Sequence, residues 1–92
     1  MNFNQKIIFS DTVFTQEVDD EIIVLDANTE NYFGLNKIGS VIWQTIKEKQ
    51  VLSEIYETLL ERYDVDAEVL RADLENFIVK LLEGGLAKVE EL

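Results

Sequence analysis

The stretch Glu30-Asn31-Tyr32-Phe33-Gly34-Leu35-Asn36-Lys37-Ile38-Gly39-Ser40-Val41-Ile42-Trp43 changes its periodicity in the middle, and that change decides the fold. Asn31 to Leu35 is aromatic and poor in helix formers, so it reads as an extended strand with Phe33 and Leu35 on one face and Tyr32 and Gly34 on the other. Asn36 stands where a helix N-cap belongs, its side-chain oxygen placed to accept from a backbone N–H of the first turn. Beyond it Ile38, Ile42 and Ile46 recur at helical spacing, with Val41 and Trp43 widening the stripe, so one side of this helix is buried. Gly39 costs about 0.8–1 kcal/mol against alanine inside a helix. It points either to another backbone passing close by or to a tolerated first-turn glycine.

Upstream, Thr12 to Val18 and Glu21 to Asp26 are rich in β-branched and apolar residues, and Asp19-Asp20 between them reads as a hairpin turn. Ala27-Asn28-Thr29 is a second polar connection, which makes the three strands an antiparallel meander. The run Ile22-Ile23-Val24-Leu25 predicts that the middle strand is covered on both faces, leaving the first and third strands as edges. Met1 to Ser10 reads as a loose arm or a short extra edge strand.

Downstream, the first helix ends near Lys49-Gln50. Ser53 is the expected N-cap of a second helix carrying Ile55, Leu59, Leu60 and Tyr63 on one side. Asp66 caps a third, with Val65 and Leu70 spaced for a hydrophobic staple and Glu68 complementing the positive helix end. Gly84-Gly85 stops that helix, and Leu86 to Leu92 is a short tail in which nothing carries chemistry. Three strands followed by three helices predict an α+β domain, residues 1–92, whose helices cover one face of a small sheet.

Composition excludes most chemistry. There is neither cysteine nor histidine. Thiol and imidazole nucleophile pairs and nearly all zinc sites therefore fall away, and no catalysis, metal or cofactor is expected. At 47% hydrophobic and 29% charged residues the chain is globular in type and long enough for one modest core. No N-terminal apolar core of signal-peptide length is present, so a cytoplasmic protein is expected. Nineteen acidic residues against eight basic ones give a formal charge of −11, which repels phosphate backbones and anionic membranes and favours neutral or basic partners.

Four constellations stand out. On a helical wheel the third helix has a core stripe of Leu70, Leu74, Phe77 and Leu81, extended on one flank by Ala67, Ile78 and Leu82 with Arg71 among them. The apolar arc spans roughly 140°, wider than the ~100° that docks a surface helix, so this flank either covers a ligand or makes a wide core contact with Arg71 snorkelling to water. Tyr32 suits a peptide-binding rim or simply covers sheet surface. Asp19, Asp20 and Glu21 lack the spacing of a calcium loop and read as a solvated turn. Ser40 after Gly39 occupies the place of the prosthetic-group serine of small acidic carrier proteins, but the acidic residue preceding that serine is missing and carriers are all-helical.

Tyr32-Phe33-Gly34-Leu35-Asn36, Gly39 and Ile42-Trp43 resemble the signature of the PqqD-like family, small recognition proteins for the leader segments of ribosomally made, post-translationally modified peptides. Ile55 to Tyr63 and Phe77 to Leu86, ending Gly-Gly-Leu, fit the same pattern. The resemblance implies a winged-helix-like fold and a non-catalytic adaptor that adds a precursor-peptide strand to the edge Asn31, Tyr32, Phe33, Gly34 and Leu35. It implies a facing wall of Ala67, Arg71, Leu74, Ile78 and Leu82, and partner enzymes that across the family include radical-SAM enzymes, proteases and cyclases. Two other classes stay open: a winged-helix DNA-binding regulator, and a structural subunit that pairs its edge with a second copy. A monomer or weak dimer is expected.

Overall fold

The computed structural model describes residues 3–92. Along the chain it contains β1 (Gln5–Phe9), β2 (Val13–Val18), β3 (Glu21–Asp26), β4 (Tyr32–Leu35), α1 (Lys37–Lys49), α2 (Leu52–Arg62), α3 (Ala67–Glu83) and β5 (Ala87–Glu91). The strands form two sheets, a three-stranded antiparallel meander in the order β2-β3-β4 and a ribbon of β1 with β5. The α+β class and the meander with its two edges are as the sequence predicts.

The meander is held by two different turns. Val18 pairs with Glu21, and Asp19 and Asp20 both adopt positive φ (51° and 68°), the two-residue geometry whose twist matches that of the flanking strands. The β3–β4 connection is organised by the Asp26 carboxylate, which accepts from the Asn28 N–H at 3.0 Å, the Thr12 hydroxyl at 2.9 Å and the Thr29 hydroxyl at 3.2 Å. The Asn28 N–H, then the Thr12 hydroxyl, hold its pKa below the usual carboxylate value of 3.8 against the opposing effect of burial.

Covering both faces of β3 proves unnecessary. Ile22 and Val24 are buried, but Leu25 is exposed and Ile23 only half-buried, because all three helices lie on one side. The apolar run therefore feeds one face into the core and leaves the other on the surface.

One hydroxyl joins the meander to the helices. Ser40, in the second turn of α1, is buried; its Oγ accepts the Ile22 N–H at 2.9 Å and donates to the Leu35 carbonyl at 3.3 Å. Ile22 and Leu35 are partners in the β3–β4 register, so the hydroxyl inserts itself into the last rung of the ladder. Asn36 caps α1 as expected, accepting from Gly39 N–H at 2.8 Å.

The ribbon resolves the open reading of the N-terminal stretch, whose residues 1 and 2 lie outside the described residues. β1 runs antiparallel to β5 from Gln5↔Glu91 to Phe9↔Ala87, so the C-terminal stretch is a strand and not a tail. The Ile7 N–H donates to the Gln50 carbonyl at 2.9 Å, docking the ribbon on the α1–α2 connection. Phe9 stacks on the buried Trp43 ring, centroids 3.9 Å apart at 10°. Neither partner strand has a strong apolar alternation, and they lie at opposite ends of the chain, so no local signal announces the pairing.

Ser53 is not the cap of α2. The helix begins at Leu52 behind Val51 without a side-chain cap, and the Ser53 N–H is satisfied by the Phe3 carbonyl at 3.0 Å. A tertiary backbone contact has replaced the side-chain cap. Asp66 does cap α3, accepting from Glu68 and Val69 N–H. At its far end Leu86 N–H bonds Leu81 C=O and Gly85 N–H bonds Leu82 C=O, with Gly85 at φ 72°, a left-handed stop that turns the chain into β5.

Two outcomes check these assignments. Ser40→Ala removes the partner of the buried Ile22 N–H and of the half-buried Leu35 C=O and should lower unfolding free energy by about 1–3 kcal/mol in denaturant titration. Asp26 stabilises the fold fully above pH 3.8, and that contribution is lost as the pH falls to its lowered native pKa. Asp26→Asn should therefore show a shallower acid loss of stability than the parent as the pH falls below 3.8.

Candidate functional site

β4 is an edge, and the parity of its free backbone groups follows from the ladder. Every β3–β4 pair sums to one register, from Ile22↔Leu35 to Leu25↔Tyr32, and the Asp26 N–H donates to the Asn31 carbonyl at 2.9 Å in that same register. Hydrogen-bonded positions alternate along an antiparallel pair. Asn31, Phe33 and Leu35 therefore turn their backbone groups toward β3, while Tyr32 and Gly34 turn theirs outward. Two N–H and C=O pairs on this edge are free of the sheet.

Beside the edge runs a groove of about 590 Å³ between β4, the start of α1 and one flank of α3. Its floor is apolar, with Phe33, Leu35, Ile42, Phe77, Leu81 and Leu86, and Asp73 and Lys80 stand on its α3 wall. Neither charge makes an ion pair among the described residues, where Arg71–Glu75 at 3.4 Å is the one recorded. Gly39 sits at the corner. A methyl there would lie 3.2 Å from Asn36 Oδ1 and 3.5 Å from both Leu35 Cβ and the Phe77 ring edge. Side chains, not a second backbone, are what pass close to Gly39.

The structure redraws the α3 wall. Leu74 and Ile78 are fully buried in the core, and neither they nor Ala67, Arg71 and Leu82 line the groove. Phe77, assigned to the core by its spacing, is instead half-buried in the groove wall. The cause is what covers the wide apolar flank. Arg71 lies over the Phe3 ring at 4.6 Å, Phe3 meets Tyr56 at 5.1 Å, and the Tyr56 hydroxyl donates to the Ala67 carbonyl at 3.1 Å. The chain's own N-terminal stretch and α2 occupy that flank, so α3 is rotated and shows Asp73, Phe77 and Lys80 to β4. The signal lay in Phe3 and Tyr56, two aromatics that needed a partner. On the strand side, Phe33, Gly34 and Leu35 line the groove, Tyr32 stands exposed on the opposite face, and Asn31 precedes the strand with its carbonyl committed to Asp26.

Other places carry less. A second groove of about 600 Å³ lies across Ile38, between the β2–β3 turn and the end of α2, and adjoins neither free edge group of β4. The Ser40 hydroxyl is consumed by its bridge and presents nothing to modify. No cluster of metal-ligating side chains occurs among the described residues, and no helix is long and apolar enough to cross a membrane.

With this geometry in view, the family model for coenzyme PQQ synthesis protein D (PqqD) matches residues 21–87, from β3 to the first residue of β5. The chain belongs to the PqqD family. No match is found among curated proteins. Among solved structures, this PqqD-family chain is similar to TbiB1 in its complex with the TbiA(beta) leader peptide, at 33% identity and a TM-score of 0.83, over 88% of this chain and 94% of that one. A lasso peptide synthetase B1 complexed with its leader peptide shares the fold at 19% identity and a TM-score of 0.80, over 90% and 98% of the two chains.

The redrawn wall is testable by exchange of roles. Phe77→Ala should cost clearly less stability than a fully buried position does while disturbing ligand binding in the groove. Ile78→Ala should cost about 2–5 kcal/mol of stability, as large-to-small core changes do. Calorimetric melts of the two variants would refute this placement of α3 if their stability losses came out equal.

Proposed function

We propose that this chain is a non-catalytic adaptor: it binds the leader segment of a precursor peptide as an added strand on β4 and presents that peptide to a separate modifying enzyme. The observation that carries the reading is the adjacency of two features, the outward backbone groups of Tyr32 and Gly34 and the groove lined by Phe33, Leu35 and Phe77. Strand addition needs both. Main-chain hydrogen bonds supply affinity, and a pocket that takes alternate side chains sets register. TbiB1, at 33% identity, was solved with a leader peptide, which supports the same ligand class here.

Within this reading each groove residue has a part. Inward side chains of the peptide fall beside Phe33 and Leu35 and pack against Phe77 and Leu81, so they should be apolar. Asp73 and Lys80, on one α3 flank with Phe77 between them, are placed to pair with charges on the peptide where it crosses the helix. The partner enzyme is a radical-SAM enzyme, a protease or a cyclase, as in the family at large. DNA binding has no support in the surface charge, since α3 presents Glu68, Asp73, Glu75 and Glu83 against Arg71 and Lys80.

Proline substitution tests the mechanism by parity. Gly34→Pro removes an outward donor and should leave the protein folded with at least a tenfold loss of leader affinity. Phe33→Pro removes a donor to β3 and should unfold or strongly destabilise the meander. Isothermal titration with the leader peptide and circular dichroism provide the two readouts. Full affinity in a folded Gly34→Pro variant would show that the peptide does not extend this edge.

A further inference from the structure

The outer face of the meander is left bare by the fold and is not part of the peptide groove. Phe14 pairs with Leu25, and Leu25 with Tyr32, so one row of large apolar side chains crosses all three strands. Their exposures are 59%, 39% and 73%, and Val18 and Ile23 continue the surface toward the hairpin. Cross-strand rows of this kind stabilise a sheet modestly, but a contiguous apolar patch in water is ordinarily a contact surface.

Charge states what fits it. From Ile7 to Asn36 the chain carries seven acidic residues and no Lys or Arg. Five of them gather at the two ends of the patch: Asp19, Asp20 and Glu21 are exposed at the β2–β3 turn, and Asp11 and Glu30 at the opposite end. A second copy would set this acidic rim against itself, and nucleic acid or an anionic membrane would be repelled by it. The complement is an apolar patch ringed by Lys and Arg on a folded protein, with aromatic contacts at the centre and ion pairs at the rim.

We infer that this face docks the peptide-modifying enzyme through such a basic-rimmed apolar patch, an inference that rests on the adaptor reading. Position favours that occupant. A peptide strand added to β4 lies about 4.8 Å beyond it, and alternate peptide side chains then emerge on the same face as Tyr32. A protein seated on Phe14, Leu25 and Tyr32 therefore borders the bound peptide directly, while the groove on the other face stays occupied by the peptide's inward residues. The adaptor would hold its peptide with one side of the sheet and its enzyme with the other.

The experiment uses this chain with each peptide-modifying enzyme and each precursor leader that its own genome encodes. Phe14→Ser and Leu25→Ser should each weaken enzyme binding at least tenfold in biolayer interferometry while leaving leader affinity and melting temperature unchanged. The neutralised variant Asp19→Asn, Asp20→Asn, Glu21→Gln should weaken it several-fold, and parent binding should fall between about 50 and 300 mM salt. Enzyme binding that is absent, or unaltered in the apolar variants, overturns the inference, and unaltered binding in the neutralised variant overturns the basic rim. Sedimentation showing a dimer abolished by Phe14→Ser, or flotation with phosphatidylcholine vesicles, would assign the face to another occupant. Failure of the leader to bind the parent protein would instead remove the adaptor reading, which the enzyme-binding arm reads separately.

Discussion

The Ser40 hydroxyl is the constraint on which the arrangement turns. It receives the Ile22 N–H and gives its proton to the Leu35 carbonyl, so one side chain from α1 completes the last rung between β3 and β4. The Ile22 N–H is buried and the Leu35 carbonyl half-buried, and a buried donor left without a partner would be costly. The bridge ends β4 after Leu35, hands the chain to the Asn36 cap and holds the first turns of α1 against the sheet. The edge of β4 is presented at a defined angle to the helices because its end is pinned there.

From that joint the one-sidedness of the molecule follows. α1 lies against Ile22 and Val24, Trp43 fills the centre against Phe9, and α2 and α3 close the same side. Nothing in the described chain reaches the outer face of the meander. One side of the sheet is thus core and groove, the other is open surface, and both meet at β4.

Much of the fold was legible because it rests on local rules. The change of period at Asn36, the turn at Asp19-Asp20, the Asp66 cap and the Gly84-Gly85 stop each depend on residues within one or two turns of one another. The β1–β5 ribbon and the missing cap at Ser53 were not legible, since both are satisfied by backbone groups distant in sequence: Phe9 against Ala87, and the Phe3 carbonyl on the Ser53 N–H.

The candidate site divides the same way. By itself the sequence determined that an edge strand lies at Asn31 to Leu35, that Phe33 and Leu35 share one face of it, and that histidine and cysteine chemistry is absent, because strand alternation and composition need no partner to be read. Only the tertiary structure decided which flank of α3 faces that edge and which backbone parity of β4 is free. A helical wheel records the width of an apolar arc but not what covers it, and here Phe3 and Tyr56 cover the wide flank and turn Asp73, Phe77 and Lys80 toward the groove. Parity likewise depends on the register in which β4 pairs with β3, fixed here by Asp26 against Asn31, which alternation within one strand does not contain.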